Sequence, residues 1–189
     1  DVVIGNANAK LTRIWDPSTS TWKESSFPWR IDGNVRFGIF DESGLAGMIA
    51  VHEAAVMGWR FDGQEWIYEK SLGRSEKIAP QTNGADGGAR LLDLNGDGIC
   101  ELVVGMTGHS VAFERSEDGW KKLPFALPEG TAIVTNDGAD AGLRFADLDQ
   151  DGNLDIIHSD GDSFSTWLFA SMEEGWSKQG VSGTRENEE

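Results

Sequence analysis

Two short acidic stretches hold the residues of this chain that are best suited to chemistry. In "LLDLNGDGICELVVG", residues 91–105, acidic and amide side chains stand at alternate positions and again at the ninth; they are Asp93, Asn95, Asp97 and Glu101. Such a set can wrap oxygen atoms around Ca²⁺ when a glycine makes the sharp turn and a backbone carbonyl fills the seventh position. The same residues also suit a plain hairpin turn, because Asp, Asn and Gly tolerate turn dihedral angles.

The second stretch repeats this pattern in the same register. In "FADLDQDGNLDIIHS", residues 145–159, the corresponding residues are Asp147, Asp149, Asp151 and Asp155, with Asn153 at the carbonyl position. Asp93 and Asp147 are 54 residues apart, and so are Glu101 and Asp155. Turn preference alone does not require two copies with one spacing, so the pattern favours two calcium sites. Protein oxygens fill every position, which favours structural rather than catalytic ions.

Composition narrows the class of protein. The chain has 189 residues, of which 39% are hydrophobic, with 24 Gly and 5 Pro, as expected for one globular unit with many turns. A formal net charge of −16 argues against nucleic acid and anionic membranes as partners. Cys100 is the single cysteine, so no internal disulfide forms. No apolar run suits membrane insertion, and calcium loops that need millimolar-range metal suit an extracytoplasmic compartment, secreted or periplasmic.

An internal repeat predicts the fold. Arg36, Arg90 and Arg144 recur every 54 residues, and the loop glycines recur with them. Each copy contains short apolar or alternating runs between Gly- and Asp-rich turns, which is typical of β-strands. In the best-preserved copy the runs are "ARLLDL", "CELVVGM", "SVAFER" and "WKKLPF". Four strands per unit of about 40 to 55 residues indicate the four-stranded blades of an all-β β-propeller.

The repeat divides residues 1–189 into one partial propeller of about three and a half blades. The predicted units are an incomplete blade at 1–31, a degenerate blade at 32–81, and calcium blades at 82–135 and 136–189. Asp1 aligns with the ninth loop position, so the first blade lacks its innermost strand. Since closed propellers have about four to eight blades, we expect the rest of a parent protein, or another protein chain, to complete the ring.

The degenerate blade is expected to hold no metal. Its loop positions are occupied by Ile39, Asp41, Ser43, Leu45 and Gly47, so one carboxylate remains.

The acidic motifs support a family resemblance. "D-x-N-x-D-G-x-x-E" and "D-x-D-x-D-G-x-x-D", each followed by an apolar strand, resemble the FG-GAP/VCBS repeats of integrin-α-like β-propellers. The resemblance implies that each loop joins the first two strands of a blade and holds Ca²⁺. The implied ligands are Asp93, Asn95, Asp97, the Ile99 carbonyl and Glu101 in one loop, and Asp147, Asp149, Asp151, the Asn153 carbonyl and Asp155 in the other.

A second resemblance bears on function. "RFGIFDESG" and "LPFALPEGTAIVTNDGADAGLRFADLDQDG" are similar to the propeller section of large secreted planctomycete proteins that carry haem-binding and sugar-dehydrogenase-like domains. We expect a calcium-binding module for binding or scaffolding within a larger secreted protein. The alternatives are the non-catalytic propeller portion of such an oxidoreductase, or a carbohydrate-binding lectin. The chain has no recognisable catalytic grouping, so any activity is expected elsewhere in a parent protein.

Several further residues recur with the blades. Asp32, Asp86 and Asp140 each precede an Arg by four residues, which favours an ion pair that fixes blade register over a charged ring that binds an anion or sugar. Trp66, Trp120 and Trp176 recur and are expected to pack between blades, whereas Trp15, Trp22 and Trp29 are better candidates for exposure and for stacking on sugars. His52, His109 and His158 show no catalytic grouping and are interpreted as surface or strand-end residues. Ligands are expected at the end opposite the acidic loops, where "QTNGADGG", "TNDGADAG", "MTGHS" and "SDGDS" lie.

Overall fold

The computed structural model describes residues 1–31, 34–52, 55–73 and 85–185, and this described part is all-β, as predicted. Its strands form four antiparallel sheets, one with three strands and three with four. Apart from one 3₁₀ turn at Lys70–Leu72, the described residues contain no helix. No helical segment there has the length and apolar character needed to span a membrane.

The first sheet is the one with three strands. They are β1 (Val2–Gly5), β2 (Lys10–Asp16) and β3 (Thr21–Ser26), paired in the order β1-β2-β3. A polar turn joins the first two strands, because Asn6 Oδ1 accepts hydrogen bonds from the backbone N–H groups of Asn8 and Ala9 at 2.8 and 2.9 Å. This sheet has one strand fewer than the others, as the alignment of Asp1 predicts.

The other three sheets each contain four strands in chain order. The second sheet contains β4 (Val35–Ile39), β5 (Ala46–His52), β6 (Ala55–Phe61) and β7 (Trp66–Tyr68); the third contains β8 (Ala89–Leu92), β9 (Glu101–Met106), β10 (His109–Ser116) and β11 (Gly119–Lys122); and the fourth contains β12 (Leu143–Ala146), β13 (Asp155–Ser159), β14 (Ser163–Leu168) and β15 (Lys178–Thr184). Such sheets are the blades of a β-propeller. The unit boundaries at residues 32, 82 and 136 remain predictions, and residues 32 and 82 lie outside the described part.

The hydrophobic core lies between neighbouring sheets. Every residue of β9 is buried, and the side chains in the middle of the strand alternate between two apolar clusters. Leu102 and Val104 pack with residues of the second sheet, whereas Val103 packs with residues of the fourth. This alternation follows from the two-residue period of a strand, and it explains why the best-preserved repeat reads as a nearly continuous apolar run.

The recurring tryptophans connect the blades, as predicted. Trp66 Nε1 donates a hydrogen bond to Thr12 Oγ1 of the first sheet at 2.8 Å, and Trp120 Nε1 donates to the Leu72 carbonyl at 2.9 Å. Trp176 lies in the cluster between the third and fourth sheets. Burial of an indole with its N–H satisfied explains why the residue recurs.

The expectation of exposure is confirmed for two of the three tryptophans for which it was made. Trp15 and Trp22 are exposed and contact each other, with 5.1 Å between ring centroids. The expectation is wrong for Trp29, which is half-buried because its ring packs 5.4 Å from that of Trp59.

A carboxylate joins the second and third blades. Asp86 accepts a hydrogen bond from Arg36 Nη2 of the second sheet at 2.8 Å and pairs with Arg90 Nη2 of its own blade at 3.0 Å. The predicted pair within one blade is therefore confirmed for Asp86 and Arg90. Arg36, which the sequence pairs with Asp32, reaches across to the next blade, and Asp32 lies outside the described residues.

The same pair occurs in the fourth sheet. Arg144 Nη2 lies 2.5 Å from Asp140 Oδ2. The hydrogen bond from Arg144 lowers the pKa of Asp140 to about 2. This pair is far more exposed than the one in the third sheet.

Candidate metal centre

Two acidic loops lie side by side at one end of neighbouring blades. The first connects β8 to β9 and the second connects β12 to β13. The Leu154 N–H donates to the Leu94 carbonyl at 2.9 Å, so the two loops are joined by a backbone hydrogen bond. A Cβ atom added to Gly96 would lie 2.8 Å from the Gly152 carbonyl oxygen, which shows how closely the loops approach.

The loop of residues 147–155 gathers three carboxylates. Asp147, Asp149 and Asp151 each offer an oxygen within 4.8 Å of the others, and all three residues are exposed. Asp147 is oriented by the backbone, because its two oxygens accept hydrogen bonds from the N–H groups of Asp151 and Gly152 at 3.1 Å each. The loop thus presents a preformed cluster of negative oxygens to solvent.

The loop of residues 93–101 has the same backbone arrangement. Asp93 accepts hydrogen bonds from the N–H groups of Asp97 and Gly98 at 3.1 and 2.9 Å. Asn95 takes the place of the middle carboxylate, and its Nδ2 donates to Asp97 Oδ2 at 3.0 Å. This contact engages one oxygen of Asp97, and the loop carries one negative charge fewer than its neighbour.

The residues at the seventh position close the turn in both loops. The Ile99 N–H donates to Asp97 Oδ1 at 2.8 Å, and the Asn153 N–H donates to Asp151 Oδ1 at 2.8 Å. Both backbone groups are therefore held beside the carboxylates. The assignment of their carbonyl oxygens as ligands remains a prediction.

The ninth carboxylate lies beneath each loop. Asp155 is fully buried, and its oxygens accept hydrogen bonds from the N–H groups of Leu148 and Phe169 at 2.8 Å each. Glu101 is also buried and accepts from the Leu94 N–H at 2.8 Å. These carboxylates hold the loop to its blade. The spacing predicts them as ligands but does not reveal this backbone role.

Burial also perturbs the ionisation of Glu101. Loss of solvent around the side chain, with a smaller contribution from the neighbouring Asp97 and Asp93 carboxylates, raises the pKa of Glu101 from 4.5 to about 7. A cation beside this group would favour its charged form. Without a cation, the loop therefore holds a carboxyl group whose charge changes near neutral pH.

In the second blade, an aromatic ring lies beneath the loop at the place where the two acidic loops have their ninth carboxylate. A Cβ atom at Gly47, the ninth position, would collide with the ring of the buried Phe40. Asp41 accepts a hydrogen bond from the Ser43 N–H at 2.9 Å and lies 4.0 Å from an Arg60 nitrogen. This packing leaves no room for a ninth carboxylate. That the loop holds no metal stays a prediction, now with a steric reason.

The interpretation of the histidines needs one correction. His158 is the penultimate residue of β13, in keeping with the strand-end interpretation, but it is only 5% exposed and is therefore not a surface residue. It pairs with Leu143 as Val104 pairs with Ala89 in the third blade, and therefore occupies a position that is apolar elsewhere. His109 is exposed at the start of β10. Nothing is described for the side chain of His52.

The fold and the loops define the class of protein: blades of a β-propeller that carry acidic loops between their first and second strands. Residues 93–158, from the first acidic loop into β13, match the model of the FG-GAP-like repeat family. A search of curated proteins finds no match to this chain. The resemblance to planctomycete proteins receives no support from these comparisons.

Proposed function

We propose that this chain is a calcium-binding β-propeller module that serves binding or scaffolding in a larger secreted protein. The observation that carries the proposal is the cluster of Asp147, Asp149 and Asp151, whose oxygens lie within 4.8 Å of one another. Oxygens at that spacing can share one ion, because calcium–oxygen distances are about 2.3 to 2.6 Å. Carboxylates are also the ligands that this hard cation prefers. The match to an FG-GAP-like repeat supports the same assignment.

Calcium would act as a structural ion in both loops. Seven carboxylates crowd the two adjacent loops, and they are Asp93, Asp97, Glu101, Asp147, Asp149, Asp151 and Asp155. Two divalent cations would offset just over half of that charge and reduce the repulsion between the loops. The backbone N–H groups that orient Asp93 and Asp147 preorganise the ligands, so binding would need little rearrangement. This role suits an extracytoplasmic compartment, where calcium is abundant.

Calcium titration of matched variants tests the site. Asp149 is the best position to change, because among the described contacts its carboxylate accepts no backbone hydrogen bond. By calorimetry we expect two sites in the unaltered chain, one in Asp149→Ala and two in Asp41→Ala, the matched control in the second blade. Equal binding by both variants would contradict the assignment.

We further propose that additional blades of the same kind complete the ring, from a parent protein or from another chain. The fourth sheet has an outer face built like a blade interface: Leu148 is 39% exposed, whereas Leu94, its counterpart 54 residues earlier, is fully buried. Arg144 has a side chain that is 62% exposed, whereas Arg36 reaches a carboxylate of the next blade. A further blade carrying an Asp at the register of Asp86 would cover both.

The first sheet exposes the opposite kind of blade face, the one that in the third blade packs against the preceding blade. Trp22 pairs with Trp15 across β2 and β3, as Trp120 pairs with Arg115 in the third blade. Trp22 is 48% exposed, however, whereas Trp120 is buried against the preceding blade. Light scattering should show self-association of the chain if copies complete one another, and Trp22→Ser should abolish it. Ile67→Ser, at an exposed position on an outer strand, is the control that should leave the molar mass unchanged.

A further inference from the structure

A cleft lies between the third and fourth blades at the end opposite the acidic loops. It consists of two cavities of about 670 and 490 Å³, which share Gly130, Thr131 and His158 in their walls. The turn after β9, the turn after β13 and the segment of residues 130–142 form its rim. These are the turns where the sequence predicts that ligands meet the propeller.

His158 is the residue that sets this cleft apart from the other blade junctions. Its partner in β12 is Leu143, and the matching pairs are Ala89 with Val104 and Val35 with Ala50. Val104 and Ala50 are fully buried apolar residues, so His158 places an imidazole where the repeat otherwise has hydrocarbon. Burial of an unpaired polar group costs free energy, which makes such a substitution unfavourable unless the group has a partner.

The described partner of His158 is a weak one. Its Nε2 lies 3.6 Å from Asp160 Oδ2, which is longer than a hydrogen bond. The other oxygen of Asp160 is engaged by the backbone N–H groups of Asp162 and Ser163, at 2.8 Å each. The imidazole and Asp160 Oδ2 therefore stand together at the cavity as a donor and an acceptor held 3.6 Å apart by the strand and its turn.

The two ends of the cleft differ in chemistry. Arg144 and Asp140 line the larger cavity and supply further donors and acceptors. Trp167 lines the smaller cavity and supplies aromatic surface. Trp167 lies 54 residues after Phe113, which is buried between blades, so the cleft exposes an aromatic position that the preceding junction covers.

We propose that this cleft binds a neutral carbohydrate, with His158 and Asp160 hydrogen-bonded to its hydroxyl groups. Hydroxyl groups both donate and accept, which suits a mixed set of imidazole, carboxylate and guanidinium. The C–H face of a sugar ring suits Trp167, whose side chain leaves the same face of the sheet as His158. Asp140, Asp160 and Glu129 outnumber Arg144 in the walls, so phosphates and other anions are disfavoured. The proposal is independent of calcium, because the acidic loops are at the other end of the blades.

His158→Val is the variant that tests the proposal. It places at this position the residue found at Val104, so the blade is expected to fold at least as well. The calcium-saturated chain is titrated with glucose, galactose, mannose, N-acetylglucosamine and their disaccharides, and the side-chain N–H resonances of Trp167 and His158 are followed by NMR. We expect a saturable shift with at least one sugar, and binding at least about tenfold weaker in His158→Val.

Two controls separate a sugar site in this cleft from non-specific binding and from misfolding of the blade. Ile67→Ser changes an exposed residue of the second blade, outside the cleft, and should leave sugar affinity unchanged. Calcium binding should be the same in His158→Val as in the unaltered chain, so failure of the sugar site is distinguishable from failure of the metal loops. The proposal is overturned if no sugar shifts either resonance, if binding survives in His158→Val, or if a polyamine such as spermidine binds there in place of sugars.

Discussion

The loops of residues 39–47 and 147–155 occupy the same place in their blades but are stabilised in opposite ways. Both make the turn with a glycine of positive φ, +68° at Gly44 and +91° at Gly152. Beneath the first loop lies the Phe40 ring, and beneath the second lies the Asp155 carboxylate. The turn itself therefore does not need a metal. Under the proposed function, the ion is called for by the crowd of carboxylates above a buried ninth carboxylate. The second blade keeps only Asp41 of those loop carboxylates and has the Phe40 ring in place of the ninth.

Removal of calcium should have the largest effect and should be confined to the acidic blades. At free calcium about a thousandfold above the dissociation constant, each site would contribute about 4 kcal/mol to stability. We therefore expect a large fall in the melting temperature in EDTA, measured by calorimetry. Hydrogen exchange should increase in β8, β9, β12 and β13 and remain unchanged in β4 and β5. A melting temperature that is the same with and without EDTA would contradict the metal assignment.

Asp155→Ala should show that the ninth carboxylate has a role beyond calcium binding. The change leaves the N–H groups of Leu148 and Phe169 without their acceptor, and we expect a loss of about 3 kcal/mol even in EDTA. Asp149→Ala, by contrast, should lose stability only when calcium is present. Urea denaturation with and without calcium measures both, and equal behaviour in EDTA would argue against the backbone role of Asp155.

Gly47→Ala should destabilise the second blade by about 2 kcal/mol, because the added Cβ meets the Phe40 ring. A second change, Phe40→Leu, should recover part of that loss, since Leu94 and Leu148 occupy the same position above a ninth carboxylate. The measurement is the urea midpoint of the single and double variants. Failure of the second change to relieve the first would mean that the ring is not the obstacle.

The smallest expected effect is a pH dependence that the second blade lacks. In the calcium-free protein, folded Glu101 holds its proton up to about pH 7, whereas the unfolded chain releases it near 4.5. The folded state thus binds more protons in this range, and stability falls as pH rises from 4.5 to 7. We expect a loss of about 2 kcal/mol, allowing for partial solvent screening. Glu101→Gln should remove this slope in EDTA, while Asp41→Asn should leave it intact.

Much of the fold could be predicted because equivalent residues recur in the sequence at a regular spacing. A spacing of 54 residues fixes which segments are equivalent, and alternation within each segment identifies strands. The blades, the acidic loops and the degenerate loop all follow from this local information. The trio of Asp147, Asp149 and Asp151 also follows, because alternate positions around a tight turn point toward one centre.

Apart from the packing of the recurring tryptophans, the contacts between blades could not be predicted from the sequence. The structure brings Arg36 to Asp86, fifty residues away, a contact that the spacing does not predict. Trp29 does not recur cleanly with the blades, which predicts exposure, but its ring packs against that of Trp59 in the second sheet. His158 stands in the sequence at a position that is apolar in other copies. Only the register of β12 with β13 reveals that this position is buried.

The backbone hydrogen bonds between loops have a mechanical consequence. The Cys100 N–H donates to the Ile39 carbonyl at 2.8 Å, and the Leu154 N–H donates to the Leu94 carbonyl at 2.9 Å. Backbone hydrogen bonds therefore join three successive loops in a row. A pulling force on one blade is therefore shared with the next through main-chain links. We expect calcium to stiffen the loops of residues 93–101 and 147–155. The loop of residues 39–47 would then be the first of the three to unfold under load.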